Sequence, residues 1–222
     1  MWSETARNHA NACRFCWMCR HLCPVGLQTG KEANTPRAKG LLVSMEERGF
    51  AFDQDTAQVM YECMLCGLCT NDCVTGYDPP LYIREARTHA AVQGLTPPAA
   101  QAVIDNLNNT GNMYGLPAEE KFSALEEDLA DLPKAAPTLL YIGDVAAYKA
   151  PDMAAAVIRL LKKAGVAFCV LRPEPNAGTD LGDMLGFVAE AQACAQACAQ
   201  AINESGAKTV VVLDPYNAVT MK

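Results

Sequence analysis

The sequence predicts a chain of two classes: an all-helical first part, then a small α/β part with a parallel sheet. Three observations carry this. Cysteines recur in two runs, at positions 13, 16, 19, 23 and 63, 66, 69, 73, among segments that open on proline and close on glycine, as helices do. An acidic stretch, "AEEKFSALEEDLADLP", then reads as a helical linker. Beyond it the pattern becomes strand, helix, strand, helix, strand, which predicts a parallel sheet covered by helices. The expected divisions are residues 1–118, 119–136 and 137–222.

In chain order, Thr35-Pro36 is a helix-start signal, and "RAKGLLVSMEERG" a helix ended by Gly49. "DTAQVMYEC" is a helix capped by Asp53 or Asp55 that leads into the second cysteine run. "DPPLYIREARTHAAVQG" opens on Pro79-Pro80 and closes on Gly94, and "TPPAAQAVIDNLNNTG" opens on Pro97-Pro98. In the second part "TLLYIGD", "AFCVL" and "KTVVVLD" are short apolar strands. "DMAAAVIRLLKKAGV" is an amphipathic helix ended by Gly165, and "GDMLGFVAEAQACAQACAQAINESGA" reads as one long helix.

Half of the 222 residues are apolar and 19% are charged, an ordinary globular balance. The net charge of −7 argues against nucleic acid, which calls for a basic face. No apolar run reaches the roughly 18 residues of a membrane helix. The opening "MWSETARNHANAC" lacks the apolar core of a secretory signal. The expected location is therefore the cytoplasm, or the inner face of its membrane through another subunit. A reducing compartment makes structural disulfides an unsuitable use for eleven cysteines.

Eight of the eleven sit in the two runs, each spaced C-x2-C-x2-C-x3-C. That is the bacterial pattern for two 4Fe–4S clusters, in which the fourth cysteine of each run binds the other cluster. The expected sets are Cys13, Cys16, Cys19 and Cys73 for one cluster, and Cys63, Cys66, Cys69 and Cys23 for the other. Zinc favours separated pairs, and a redox C-x-x-C does not need eight thiols. Pro24 follows the first run, where the fourth cysteine should start a helix; the second ends Cys73-Val74, a departure that removes no ligand. Gly67 and Gly76 are expected to let backbone approach sulfur. Phe15, Trp17, Met18, Met64 and Leu65 either shield the clusters or pack as core. Arg14, Arg20 and His21 read as surface charges, and His9, His21 and His89 lack companions that would suggest catalysis.

With "TPRAKG" between the runs, "YIREAR" after the second and "NTGNMYGLP" at 109–117, this part resembles the α-helical ferredoxin domain of the heterodisulfide reductase-like family. Relatives in that family include iron–sulfur subunits of anaerobic glycerol-3-phosphate, glycolate and lactate dehydrogenases. Met113 stands where the family usually has proline. The second part resembles the family's Cys-Cys-Gly domain. Asn176 and Ala177 stand for its paired cysteines before Gly178, and Asp214 and Asn217 for its Cys-Pro-x-Cys. Oxygen donors do not suit an iron–sulfur cluster. Cys169 reads as a buried small hydrophobe; Cys194 and Cys198, on one helix face, read as sheet packing or as a metal pair.

No dinucleotide fingerprint and no P-loop occur. The resemblance implies an electron-transfer subunit of a hetero-oligomer. FAD or FMN would lie on a flavoprotein dehydrogenase partner, the downstream acceptor would be a membrane quinone-reducing subunit or another carrier, and the second part would serve as a docking platform whose acidic linker steers a basic partner. The alternatives are a heterodisulfide or quinone reductase with its catalytic site in the second part, and a structural or sensory cluster protein.

Overall fold

Helix starts follow the proline punctuation. In the computed structural model, which describes residues 2–221, Thr35 caps α4 (Pro36–Glu47) through its Oγ, with Pro36 in the first turn. Asp53 caps α5 (Gln54–Tyr61) by accepting the Thr56 N–H. α7 (Pro79–Val92) and α8 (Pro98–Thr110) open on the expected prolines. The chain divides into two compact units, residues 2–100 with 182–188, and residues 101–181 with 189–221.

The first unit is helical. α1 (Glu4–Asn11), which the sequence reading left unassigned, is capped by Ser3 and presents Ala6 and Ala10 to α4 and α7. Trp2, Val43, Phe52, Met60, Tyr82, Ile83 and Ala86 complete the core. Three short helices, α2 (Met18–Leu22), α3 (Pro24–Thr29) and α6 (Leu68–Asn71), carry the cysteine runs. Cys23 is the N-cap of α3, with Pro24 in its first turn. No helix follows Cys73: without a proline to preset φ, the chain stays irregular until Pro79. The fourth cysteine thus starts a helix in the first run alone.

The second unit holds the sheet. β1 (Thr138–Tyr141) lies between β2 (Phe168–Cys169) and β3 (Thr209–Val212), parallel to both, with Leu139 opposite Cys169 and Val210. α11 (Pro151–Lys163) buries Ala154, Ala155 and Ile158 against Leu140, Ile142 and Phe168. The acidic stretch forms two 3-10 turns and the single-turn α9 (Glu126–Leu129) rather than a continuous helix, and it buries Leu125 and Leu129 in that same core. α10 (Asp144–Tyr148) follows β1. The long helix expected from 182 begins only at Val188. Asp180–Met184 form a π-turn, and α12 (Val188–Glu204) follows. α13 (Pro215–Thr220) is capped by Asp214.

Candidate functional site

The two cysteine runs fold as conformational repeats. Phe15 and Leu65, each two residues after the first cysteine of its run, both take positive φ, 58° and 53°. Their N–H groups donate to Cys13 Sγ and Cys63 Sγ, both at 3.4 Å. The next left-handed position is Trp17 in the first loop, φ 67°, and Gly67 in the second, φ 75°. A side chain there costs about 1–3 kcal/mol, so each loop is held by its surroundings. Gly67 and Gly76 both take positive φ, 75° and 74°, which glycine adopts without strain.

Two cavities open on the cysteines. The first, about 270 Å³, is lined by Cys13, Cys16, Cys19, Cys69 and Cys73, with Trp17, Met18, Arg14, Arg37, Asp72 and Tyr77. The second is a narrow cleft of about 20 Å³ lined by Cys23, Cys63, Cys66 and Cys69, with Met64 and Lys39. Each brings a cysteine of one run to the other run, and buried Cys69 borders both. No three His, Cys, Asp or Glu among the described residues converge on a single-ion site. An all-thiol donor set spread around cavities suits a sulfur-bridged iron cluster better than one zinc.

Burial pushes the Cys19 and Cys63 thiols up, and takes Cys69 to about 12 with help from Cys63. At Cys73 burial acts upward, but the Thr75 hydroxyl and the Thr75 and Tyr77 backbone N–H groups outweigh it and favour the thiolate. Thiols pushed up by burial must shed their protons to bind metal, so loading releases protons.

The residues of "TPRAKG" and "YIREAR" build the walls. Gly40 lets Tyr77 approach α4: a Cβ there would stand 2.4 Å from the Tyr77 hydroxyl. The Tyr77 hydroxyl donates to the Pro36 carbonyl and accepts from the Tyr82 hydroxyl at 2.7 Å. Lys39 is buried beside the second cleft and donates to the Val59 carbonyl. Burial pulls its ammonium down to about 8, against the upward pull of Cys63, Glu62 and Cys23. Arg87, 2% exposed, donates to the carbonyls of Met60, Tyr61, Cys63, Asp183 and Met184. It caps the end of α5 and fixes the start of the second loop. Sequence reasoning assigned none of these roles: a buried lysine or arginine carries no periodic signal of its own.

Phe15, Trp17, Met18 and Met64 are 51, 37, 59 and 69% exposed, so they form rims rather than core. Arg14 caps α1 through the Asn11 and Ala12 carbonyls. His9 bonds the Gly76 carbonyl, and His89 stacks on Phe52.

In the second unit, the positions that resemble the Cys-Cys-Gly pattern gather near the end of β1. Asn176 donates to Asp144 at 2.8 Å and accepts the Gly178 N–H. Thr179 donates to Asn217, which donates to Asp214. Buried Lys121 bridges Asp144 at 2.6 Å and Glu174 at 3.2 Å. Burial alone would pull that ammonium down, but the two carboxylates outweigh it and hold it above its ordinary value. Cys169 is buried in β2, and Cys198 packs on Tyr141 and Ala177.

Comparison with known proteins agrees with the cysteine geometry. Residues 9–77 match the model of a 4Fe–4S dicluster domain. A probable membrane-anchored ferredoxin of Chromohalobacter salexigens is 28% identical over 89% of this chain and 29% of its own length. An EtfAB:quinone oxidoreductase of Syntrophomonas wolfei is 24% identical over 89% of this chain and 29% of its own length. The chain thus spans less than a third of these relatives. No solved structure matches. No helix among the described residues is long and apolar enough to cross a membrane. These similarities support an iron–sulfur electron-transfer family.

Proposed function

We propose that this chain is an electron-transfer subunit holding two 4Fe–4S clusters. Cys13, Cys16, Cys19 and Cys73 bind the first, and Cys63, Cys66, Cys69 and Cys23 the second. The observation that carries this reading is the lining of the two cavities: Cys69 and Cys73 of the second run join the first, and Cys23 of the first run joins the second. Four ligands per cluster leave shared Cys69 to the second. Met64 and Cys66, on the lining of the narrow cleft, are exposed.

When bound, such clusters supply one-electron redox chemistry. The chain's own part is to orient thiolates, exclude water and place charge beside them. The partner is a flavoprotein dehydrogenase carrying FAD or FMN, and the acceptor is a quinone-reducing subunit at the inner face of the membrane or another carrier. The relatives' names support this: one is named for EtfAB and quinone, the other as a membrane-anchored ferredoxin. A reductase site in the second unit has less support, because its candidate side chains are hydrogen-bonded to one another. The domain plan proposed is a helical ferredoxin domain followed by an α/β platform.

Anaerobic reconstitution tests the assignment. About eight irons per chain are expected, four for each cluster. Cys23→Ser should perturb only the electron paramagnetic resonance signal lost in Cys66→Ser. If Cys23→Ser instead perturbs the signal lost in Cys16→Ser, the exchange of ligands between runs is wrong.

A further inference from the structure

Beside the first cysteine cavity lies a second, polar one of about 370 Å³. It shares Cys13, Arg14 and Arg37 with its neighbour, and Phe15, Asn11, Ser44 and Arg48 are among its other walls. Three arginines line it and no acidic residue does. Arg37 lies over the Trp17 ring at 3.9 Å and the Phe15 ring at 4.8 Å, which fixes its plane. Its Nε is buried and has no hydrogen-bond partner. A desolvated guanidinium N–H without an acceptor costs free energy until an anion supplies one. The rim of exposed Phe15, Trp17 and Met18 adds the aromatic, methionine and arginine surface typical of protein interfaces.

The two loops differ in charge. The first, residues 13–23, carries Arg14 and Arg20 and no acid; the second, 63–73, carries Asp72 and no base. Arg20 is partly neutralised by Glu32 at 3.4 Å, and Asp72 borders the first cavity, so the cationic field rests on Arg14, Arg37 and Arg48. The net charge of −7 hides this local reversal.

We infer that the edge of the first cluster is the port for a redox protein with an acidic face, whose carboxylates seat in the Arg14–Arg37–Arg48 cavity. The inference rests on the cluster reading above and adds which cluster the partner meets and what charge it bears. One electron crosses between the partner's centre and the first cluster; no bond forms or breaks, and no proton is required.

Stopped-flow oxidation of the reduced, reconstituted full chain tests the port, with two oxidised acceptors: flavodoxin, an acidic flavin carrier, and cytochrome c, a basic haem carrier. The flavodoxin rate should fall at least tenfold as ionic strength rises, and the cytochrome c rate should not fall. The Arg48→Gln variant should lose severalfold with flavodoxin only, keeping its irons and its melting temperature. Rates that ignore salt, variant and carrier charge while the irons stay in place overturn the port alone. Micromolar inorganic phosphate blocking flavodoxin at constant ionic strength overturns it in favour of a small-anion site. A wild-type chain that holds no iron overturns the cluster reading, and the port falls with it.

Discussion

Replacing Arg87 with methionine tests whether one buried cation organises the second cysteine loop. The guanidinium reaches five carbonyls: Met60 at 3.1 Å, Tyr61 at 3.3 Å, Asp183 at 3.4 Å, Met184 at 3.0 Å, and Cys63. Methionine fills much of the same volume and donates to none. Each buried carbonyl left without a partner costs about 1–3 kcal/mol, less where water or a shift of the chain supplies one. Met60 keeps the Cys63 N–H; with about half of the other four relieved in that way, the loss is about 2–6 kcal/mol. At roughly 2–4 °C per kcal/mol for a chain of this size, the melting temperature should fall by roughly 10 °C. Anaerobic calorimetry measures this, and iron analysis should show the second cluster lost first. Arg87→Lys, with three donors in place of five, should fall between. A methionine variant that melts within about 2 °C of wild type and keeps its irons would refute the reasoning.

Further outcomes follow from single sites. Burial, then the Asp214 and Asp144 carboxylates, push Asp180 up from 3.8 to about 6, so the fold favours its protonated form. The stability this contributes is present below about pH 4 and lost as pH rises through about 6. Asp180→Asn should therefore stabilise the chain at pH 7 by up to about 3 kcal/mol, from roughly 1.4 kcal/mol per pH unit of that window, and by nothing near pH 4; denaturant melts at the two pH values check it. Gly40→Ala gains about 1 kcal/mol in helix propensity, but it drives a methyl into the Tyr77 hydroxyl. A net loss of about 1–2 kcal/mol is expected in urea melts. Lys39→Met removes the ammonium beside the second cleft, so that cluster should become harder to reduce while the first is unmoved, as read by a potentiometric titration followed by paramagnetic resonance.

What was legible in the sequence was local. Pro36, Pro79 and Pro98 with their caps marked three long helices, and the cysteine spacing marked eight residues that the fold brings to two cavities. The strand and helix alternation marked the parallel sheet. Equally local signals were passed over: Ser3 before an Ala6–Ala10 stripe, and Asp214-Pro215, each start a helix. The rest was not local. Nothing around Arg87 says that its partners lie near 60 and 184, and nothing in "DMLGF" says that Gly182–Gly186 leave the helical register to meet them. Overall charge points to a basic partner; an average over 18 lysines and arginines does not show that Arg14, Arg37 and Arg48 line one cavity.

Residues 182–188 are part of the helical unit although they are synthesised after β1 and β2. A ribosome therefore releases both cysteine runs well before it makes the carbonyls of Asp183 and Met184. At roughly 5–20 residues per second, Arg87 waits several seconds for them. During that interval the thiols of an unfinished domain have one wall unbraced.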